Sequence, residues 1–216
     1  GRLKWRYAER MKRVIEAADA NRMAVIVGFF YFGQNHKLQD EAAVRRAVTE
    51  ATEFLVSLKR ENILIKINNE CDIGYVHPVL QPHGVYRMIQ LARDVCKGQF
   101  PISTSYGGGT IPGVNVVEAA DYILIHGNSQ TPERIRMMVT ACKAMTGKPI
   151  VFNEDSVSIA NLRAAWEAGA SWGYYDQGGR QPYADGFQSV PTNWAINTPE
   201  KKAFFETVAE LVGISV

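Results

Sequence analysis

Ile63-Leu64-Ile65-Lys66-Ile67 runs into Asn68-Asn69-Glu70-Cys71-Asp72. A short, β-branched, nearly continuous apolar run is the pattern of a strand buried on both faces, and here it breaks abruptly into amides and carboxylates. Polar chemistry therefore stands at the strand's carboxyl end. In a sheet or barrel of parallel strands, that end is where ligands bind and reactive groups are displayed. The pattern returns where Pro149-Ile150-Val151-Phe152 runs into Asn153-Glu154-Asp155-Ser156. Two strands thus end in Asn-Glu.

Outward from these points, helix and strand alternate. Tyr7, Met11, Val14, Ile15 and Ala18 share a helical face, and residues 23–28 form the strand that follows, ending in the aromatic loop Phe29-Phe30-Tyr31-Phe32-Gly33-Gln34. A helix over 40–59, with Ala43, Val44, Ala47, Val48, Ala51, Phe54, Leu55 and Leu58 as its stripe, leads into the strand at Ile63. Val85, Met88, Ile89, Ala92 and Val95 mark the next helix, and 101–105 the next strand, followed by Tyr106-Gly107-Gly108-Gly109. Residues 114–120 give a short helix before the strand 122–125, which ends in His126-Gly127-Asn128. Thr131-Pro132-Glu133 and Thr198-Pro199-Glu200 each supply an N-cap, a proline at the first helical position and an acid in the first turn. The last helix buries Ala203, Phe204, Thr207, Val208 and Leu211. Between these two starts lie the strand 150–152, a helix over 158–168 stopped by Gly169, and a strand over 171–175.

Six strands alternating with seven helices imply an α/β fold with a parallel sheet, because each return to a parallel strand needs a crossover. An open doubly wound sheet predicts a glycine-rich phosphate turn after its first strand, and Gly28-Phe29-Phe30 is not one. A barrel predicts polar residues at every strand end, and they are present: Gln34, Glu70, Tyr106, His126, Glu154 and Asp176. The expectation is a TIM (β/α)8 barrel. Such a barrel takes roughly 250 residues, so the chain reads as strands three to eight of one, a single catalytic domain over 1–216 that is incomplete at its N-terminus. Its two outer strands, 23–27 and 171–175, would then need cover from a second chain, an N-terminal fragment or self-association, since bare edges invite pairing.

Composition narrows the partners. The 216 residues are 46% apolar, enough for one substantial core, and the formal charge of +2 balances 24 basic against 22 acidic residues. With no basic stripe among the aromatics and no long apolar run, neither nucleic acid nor a membrane is an expected partner. Cys71, Cys96 and Cys142 lack paired spacing and read as free thiols, mostly in the core. Glu70, Asp72, His77 and His83 fit no tight metal motif, and no metal is assigned. The glycine run 107–109 reads as a mobile loop in preference to a phosphate cradle, because no helix N-cap follows it closely.

Asn69-Glu70 at a strand-four end and Glu154 at a strand-seven end resemble the arrangement of clan A glycoside hydrolases, which include the cellulase-like and mannanase-like family 5 enzymes. The resemblance implies that Asn69 binds a sugar 2-hydroxyl, that Glu70 is the acid/base and that Glu154 is the nucleophile. It also implies that His126 fills the strand-six histidine position, and that Tyr175 lies near the strand-eight aromatic platform. It implies an oligo- or polysaccharide substrate, no cofactor, and a secreted or periplasmic setting. The chain departs from the family pattern at Gly28-Phe29-Phe30, where many family 5 members carry Asp-x-His.

The residue types suit that chemistry on their own terms. Glycosidic cleavage needs one carboxyl to protonate the leaving oxygen and another to capture the cationic carbon. A retaining pair stands about 5–5.5 Å apart, which is the separation expected for Glu70 and Glu154. Gln34 and Tyr106 join Asn69, His126 and Tyr175 as expected substrate-binding residues, with Phe29, Phe30, Tyr31, Trp172 and Tyr174 as further exposed faces for stacking on sugar rings. At least one of Trp172, Tyr174 and Tyr175 is expected in the core, because neighbours along a strand face opposite ways. Two other readings remain open: a metal-assisted or proton-abstracting barrel enzyme using Glu70, His126 and Glu154, and a non-catalytic barrel fragment that binds carbohydrate or protein.

Overall fold

The computed structural model describes residues 1–175 and 195–214. The strand end expected at Asp176 lies outside them. In chain order the elements are α1 (Trp5–Ala20), β1 (Val25–Phe30), α2 (Glu41–Ser57), β2 (Ile63–Asn68), α3 (Tyr86–Cys96), β3 (Ile102–Ser103), α4 (Val114–Ala119), β4 (Ile123–His126), α5 (Pro132–Met145), β5 (Ile150–Glu154), α6 (Ile159–Ala168) and α7 (Pro199–Val212). Two 3-10 turns, Phe32–Lys37 and Pro78–Leu80, interrupt the loops. The fold is α/β with parallel strands. One sheet has the order β1-β2-β3, with both neighbouring pairs parallel, and a second sheet pairs β4 with β5.

Five of the six expected strands form among the described residues. The sixth, expected over 171–175, is reduced to one parallel bridge between Val151 and Ser171. Its ladder stops because the Gly173 N–H turns to the Asp155 carboxylate instead of to a neighbouring strand. The chain divides into two compact units. The first comprises Gly1–Gly107, Pro112–Leu124 and Met145–Pro149, and the second comprises Gly108–Ile111, Ile125–Ala144 and Ile150–Val216.

In the first unit β2 is the central strand, paired through Val27↔Ile65 on one side and Ile65↔Ile102 on the other. Ile63, Ile65 and Ile67 are fully buried, as a two-sided strand requires, and Lys66 is buried with them. Val44, Val48 and Leu55 of α2 and Met88, Ile89 and Ala92 of α3 pack into the same core. Asp40 caps α2 by accepting the Ala43 N–H at 2.7 Å. On α1 the buried stripe is Ala8 and Ile15, with Met11 and Ala18 half-buried, whereas Tyr7 and Val14 are exposed. The expected face was thus rotated by about one residue, because 7 and 14 sit beside the 8-11-15-18 stripe that meets the core.

In the second unit Ile135, Met138, Val139 and Cys142 form the inner face of α5, and Leu162, Ala164 and Ala165 that of α6. Gly169 ends α6 in the left-handed conformation at φ +83°, a position that strains any residue with a Cβ. On α7 the buried stripe is Lys201, Phe204, Thr207 and Ala209, while Ala203 is exposed. Burial of Lys201 is matched by acceptors, with its ammonium 2.6 Å from the Ala195 carbonyl and 3.2 Å from Asn197 Oδ1. No described helix is long and apolar enough to cross a membrane.

Ile65 is central to the three-stranded sheet and fully buried, so Ile65→Ala removes buried methylenes and leaves a cavity. Urea unfolding of the full chain should show a loss of about 2–5 kcal/mol. A loss well below 1 kcal/mol would mean that β2 is not the core strand.

Candidate functional site

At the end of β2 the backbone leaves the sheet, and side chains, loops and the end of β1 take up its polar groups. The Asn68 amide donates to the Leu80 carbonyl at 2.7 Å, and the Thr104 hydroxyl donates to the Asn68 carbonyl at 2.9 Å. Asn69 N–H donates to the Phe30 carbonyl at 3.0 Å, and the Tyr75 hydroxyl lies 2.7 Å from the Asn69 carbonyl. The Asn69 side-chain oxygen accepts from the buried Lys66 ammonium. The resemblance to clan A enzymes implies a sugar-hydroxyl contact for this amide, and its oxygen is held from within β2 itself.

Glu70 follows in the left-handed region at φ +52°, which a residue with a Cβ occupies at a cost of about 1–2 kcal/mol. Ser105 offsets that cost from both sides. Its hydroxyl accepts the Glu70 N–H at 3.0 Å, and its carbonyl accepts the Cys71 N–H at 2.8 Å. Ile73 N–H closes the turn on the Glu70 carbonyl at 2.9 Å. The Asp72 carboxylate is used locally, accepting the Gly107 N–H at 2.7 Å. His77 packs its Nε2 3.2 Å from the carbonyls of Asn35 and Leu38, a structural role.

In the second unit, His126 and Glu154 meet. Glu154 is the last residue of β5 and keeps 19% of its side chain exposed, whereas His126 is fully buried. Glu154 Oε2 lies 3.4 Å from His126 Nδ1 and 3.4 Å from the amide Nδ2 of Asn128. Two side-chain nitrogens thus converge on one carboxylate oxygen. Gly127 N–H donates to the Glu154 carbonyl at 2.7 Å, which fixes β4 against the end of β5. Any side chain on Gly127 would sit 2.7 Å from the Trp172 ring and 2.9 Å from Phe152. The glycine is demanded by that packing.

Four residues expected to be exposed faces or substrate contacts have these places in the structure. Tyr106 is buried, and burial pushes its phenol up to about 12, so it is a core residue and no stacking platform. Gln34 lies exposed on the 3-10 turn past β1, while its neighbour Asn35 is buried and ties that turn to the chain beyond β2 by accepting the Val76 N–H at 2.8 Å. Phe29 and Phe30 are half-buried against the first unit's core. The expectation about the aromatic strip holds in part: Tyr174 packs on Phe204 and Phe205 of α7 at ring separations of 5.1 and 5.5 Å, and Tyr175 next to it is half-buried. All three cysteines are buried and free. The glycine run 107–109 is anchored, with Gly109 N–H on the His126 carbonyl at 3.0 Å.

Sequence reasoning passed over Lys66, Ser105, Asn128 and Asp155. A lysine inside a run read as buried on both faces was the available signal for Lys66, and the amide two residues past His126 the signal for Asn128. Asp155 is the most unusual. Its carboxyl is buried, accepts the Gly173 N–H, and is pushed up to about 8 by burial, with the Glu154 charge acting in the same direction and the Gly173 bond against it.

No protein-family model and no curated protein matches this sequence. The structure is similar to a solved apo structure of a beta-glucosidase, with a TM-score of 0.56 and 13% identity, covering 81% of this chain and 68% of that one. At that identity the likeness establishes a glycosidase-like α/β fold.

The Asp155 carboxyl titrates at about 8 in the folded chain against an ordinary value of 3.8. The folded state therefore binds the proton more tightly. Its contribution to stability is full below pH 3.8, declines as pH rises toward about 8, and is flat above that. Asp155→Asn should remove this part of the pH dependence, so the difference in melting temperature between variant and wild type should change between pH 5 and 8. A constant difference across that range would contradict the assignment.

Proposed function

We propose that the chain is a retaining glycoside hydrolase that cleaves β-linked glycans, with Glu154 as nucleophile and Glu70 as acid/base. The observation that carries the reading is the convergence of His126 and Asn128 on Glu154 Oε2 at the end of a parallel strand. Both contacts stabilise negative charge at one oxygen of a partly exposed carboxylate. They orient the group for attack on an anomeric carbon. The glycosidase-like fold supports the same class.

In this reading Glu70 protonates the departing glycosidic oxygen while Glu154 forms the glycosyl-enzyme ester. Glu70 then takes a proton from the water that hydrolyses the ester, which regenerates both carboxyls and gives net retention. Asn69 accompanies Glu70 at the end of β2, where its Lys66 contact fixes the amide for a sugar hydroxyl. The left-handed turn at Glu70 aims its side chain independently of the alternation of β2.

Release of 4-nitrophenol from 4-nitrophenyl β-D-glucoside, followed by a polysaccharide panel, tests the class. Product anomers followed by NMR should show net retention. Glu154→Gln should reduce turnover to background on every substrate. Glu70→Gln should cost about 10²–10⁴-fold on leaving groups that need a proton, while sparing the first-step burst with 2,4-dinitrophenyl glycosides. If both variants keep wild-type turnover, the pair is structural.

A further inference from the structure

The backbone around residue 173 lacks what normally holds a strand in place. Ser171 makes the only bridge on this segment among the described residues, with its N–H on the Ile150 carbonyl at 3.1 Å and its carbonyl accepting the Phe152 N–H at 3.2 Å. Two residues later the Gly173 N–H donates to Oδ2 of Asp155, a carboxyl that is itself buried on the chain leaving β5. The other oxygen, Oδ1, is buried and has no hydrogen-bond partner among the described residues.

The residues on either side of Gly173 are aromatic and differently committed. Trp172 packs on Phe152 at a ring separation of 5.1 Å and donates its indole N–H to the Ser156 carbonyl at 3.3 Å. Tyr174 packs on α7. Tyr175 comes immediately after and is half-buried. Gly173 also has little room, since a Cβ there would stand 3.1 Å from Asp155 Oδ2.

Resting on the glycosidase reading above, we infer that Asp155 is a positioning residue whose side chain replaces the missing β-ladder and sets the 172–175 aromatic strip as a sugar-binding face. The contact has the features of such a device. It is made by a side chain that follows the proposed nucleophile directly in sequence, so the strip and Glu154 are referenced to the same strand end. Its acceptor is a buried carboxyl, a low-dielectric setting that strengthens the bond to the Gly173 N–H. A buried acid that keeps its proton holds the strip without placing a second full charge beside Glu154. Its role is therefore in binding geometry and involves no bond to the reacting atoms.

The experiment compares Asp155→Ala, Asp155→Leu and Asp155→Asn in the full chain, reading amide hydrogen exchange at Gly173 together with KM and kcat for 4-nitrophenyl β-D-glucoside. Leucine keeps the volume while removing the acceptor, so it reports even where alanine leaves a cavity that prevents folding. Asparagine keeps an acceptor oxygen. Ala and Leu should speed Gly173 exchange about tenfold and raise KM about fivefold or more, the loss expected for one buried hydrogen bond. In both, kcat should stay within about twofold, because the chemistry at Glu154 is untouched. Asn should restore both readouts toward wild type. Unchanged Gly173 exchange in folded Ala or Leu variants overturns the inference, as does faster exchange with KM unmoved, or an Asn variant that behaves like Leu. A wild-type chain inactive on every glycoside sinks the glycosidase reading, and the latch then stands or falls on the exchange data alone.

Discussion

Where a parallel strand ends, its ladder ends too, and each backbone N–H and C=O that leaves the sheet must find another partner or carry the cost of burial without one. That constraint organises the chemistry of this chain. At the end of β2 the partners are Thr104, Ser105 and Tyr75, and at the end of β4 and β5 they are the Glu154 carbonyl and the Asp155 carboxylate. Each bond satisfies a stranded backbone group. The same bonds hold Asn69, Glu70 and Glu154 in place, so the local cost of ending a strand and the positioning of its polar residues have one solution.

The two glutamates are held by different means. Glu70 lies past its strand in a left-handed turn, where the Ser105 hydroxyl holds its N–H and Ile73 N–H holds its carbonyl. Glu154 is still within β5, and what fixes it is side chain: His126 and Asn128 on one carboxylate oxygen. A group restrained through its own oxygens is already oriented, which suits attack on a fixed carbon.

Much of the fold was legible because burial writes directly into pattern. The Ile63–Ile67 run, the α2 stripe and the capping signals at Thr131 and Thr198 all became the elements they predicted. Errors arose where pattern is degenerate. Tyr7 and Val14 are apolar and helically spaced, yet the stripe one residue over meets the core. Ala203 is small enough to suit either face of α7, and no sequence signal announces that Ala195 and Asn197 will receive the ammonium of Lys201. The strand expected at 171–175 is reduced to one bridge, since the competitor for the Gly173 N–H was a side chain distant in sequence.

The candidate site was legible to the same depth and for the same reason. Strand ends announce themselves as a switch from apolar to polar residues, so Asn69, Glu70, His126 and Glu154 stood out. Tyr106 occupied an equivalent place and was misread, because a tyrosine after a strand scores as polar although most of its area is apolar and the core took it. Residues that serve another residue are harder to see. Ser105, Asn128 and Asp155 each act on a neighbour brought close only by the crossover between parallel strands, and a one-dimensional pattern carries no trace of that proximity. The connection that makes the fold parallel is thus also what hides its supporting residues: every crossover separates a strand end from its partner by a helix in sequence while setting them side by side in space.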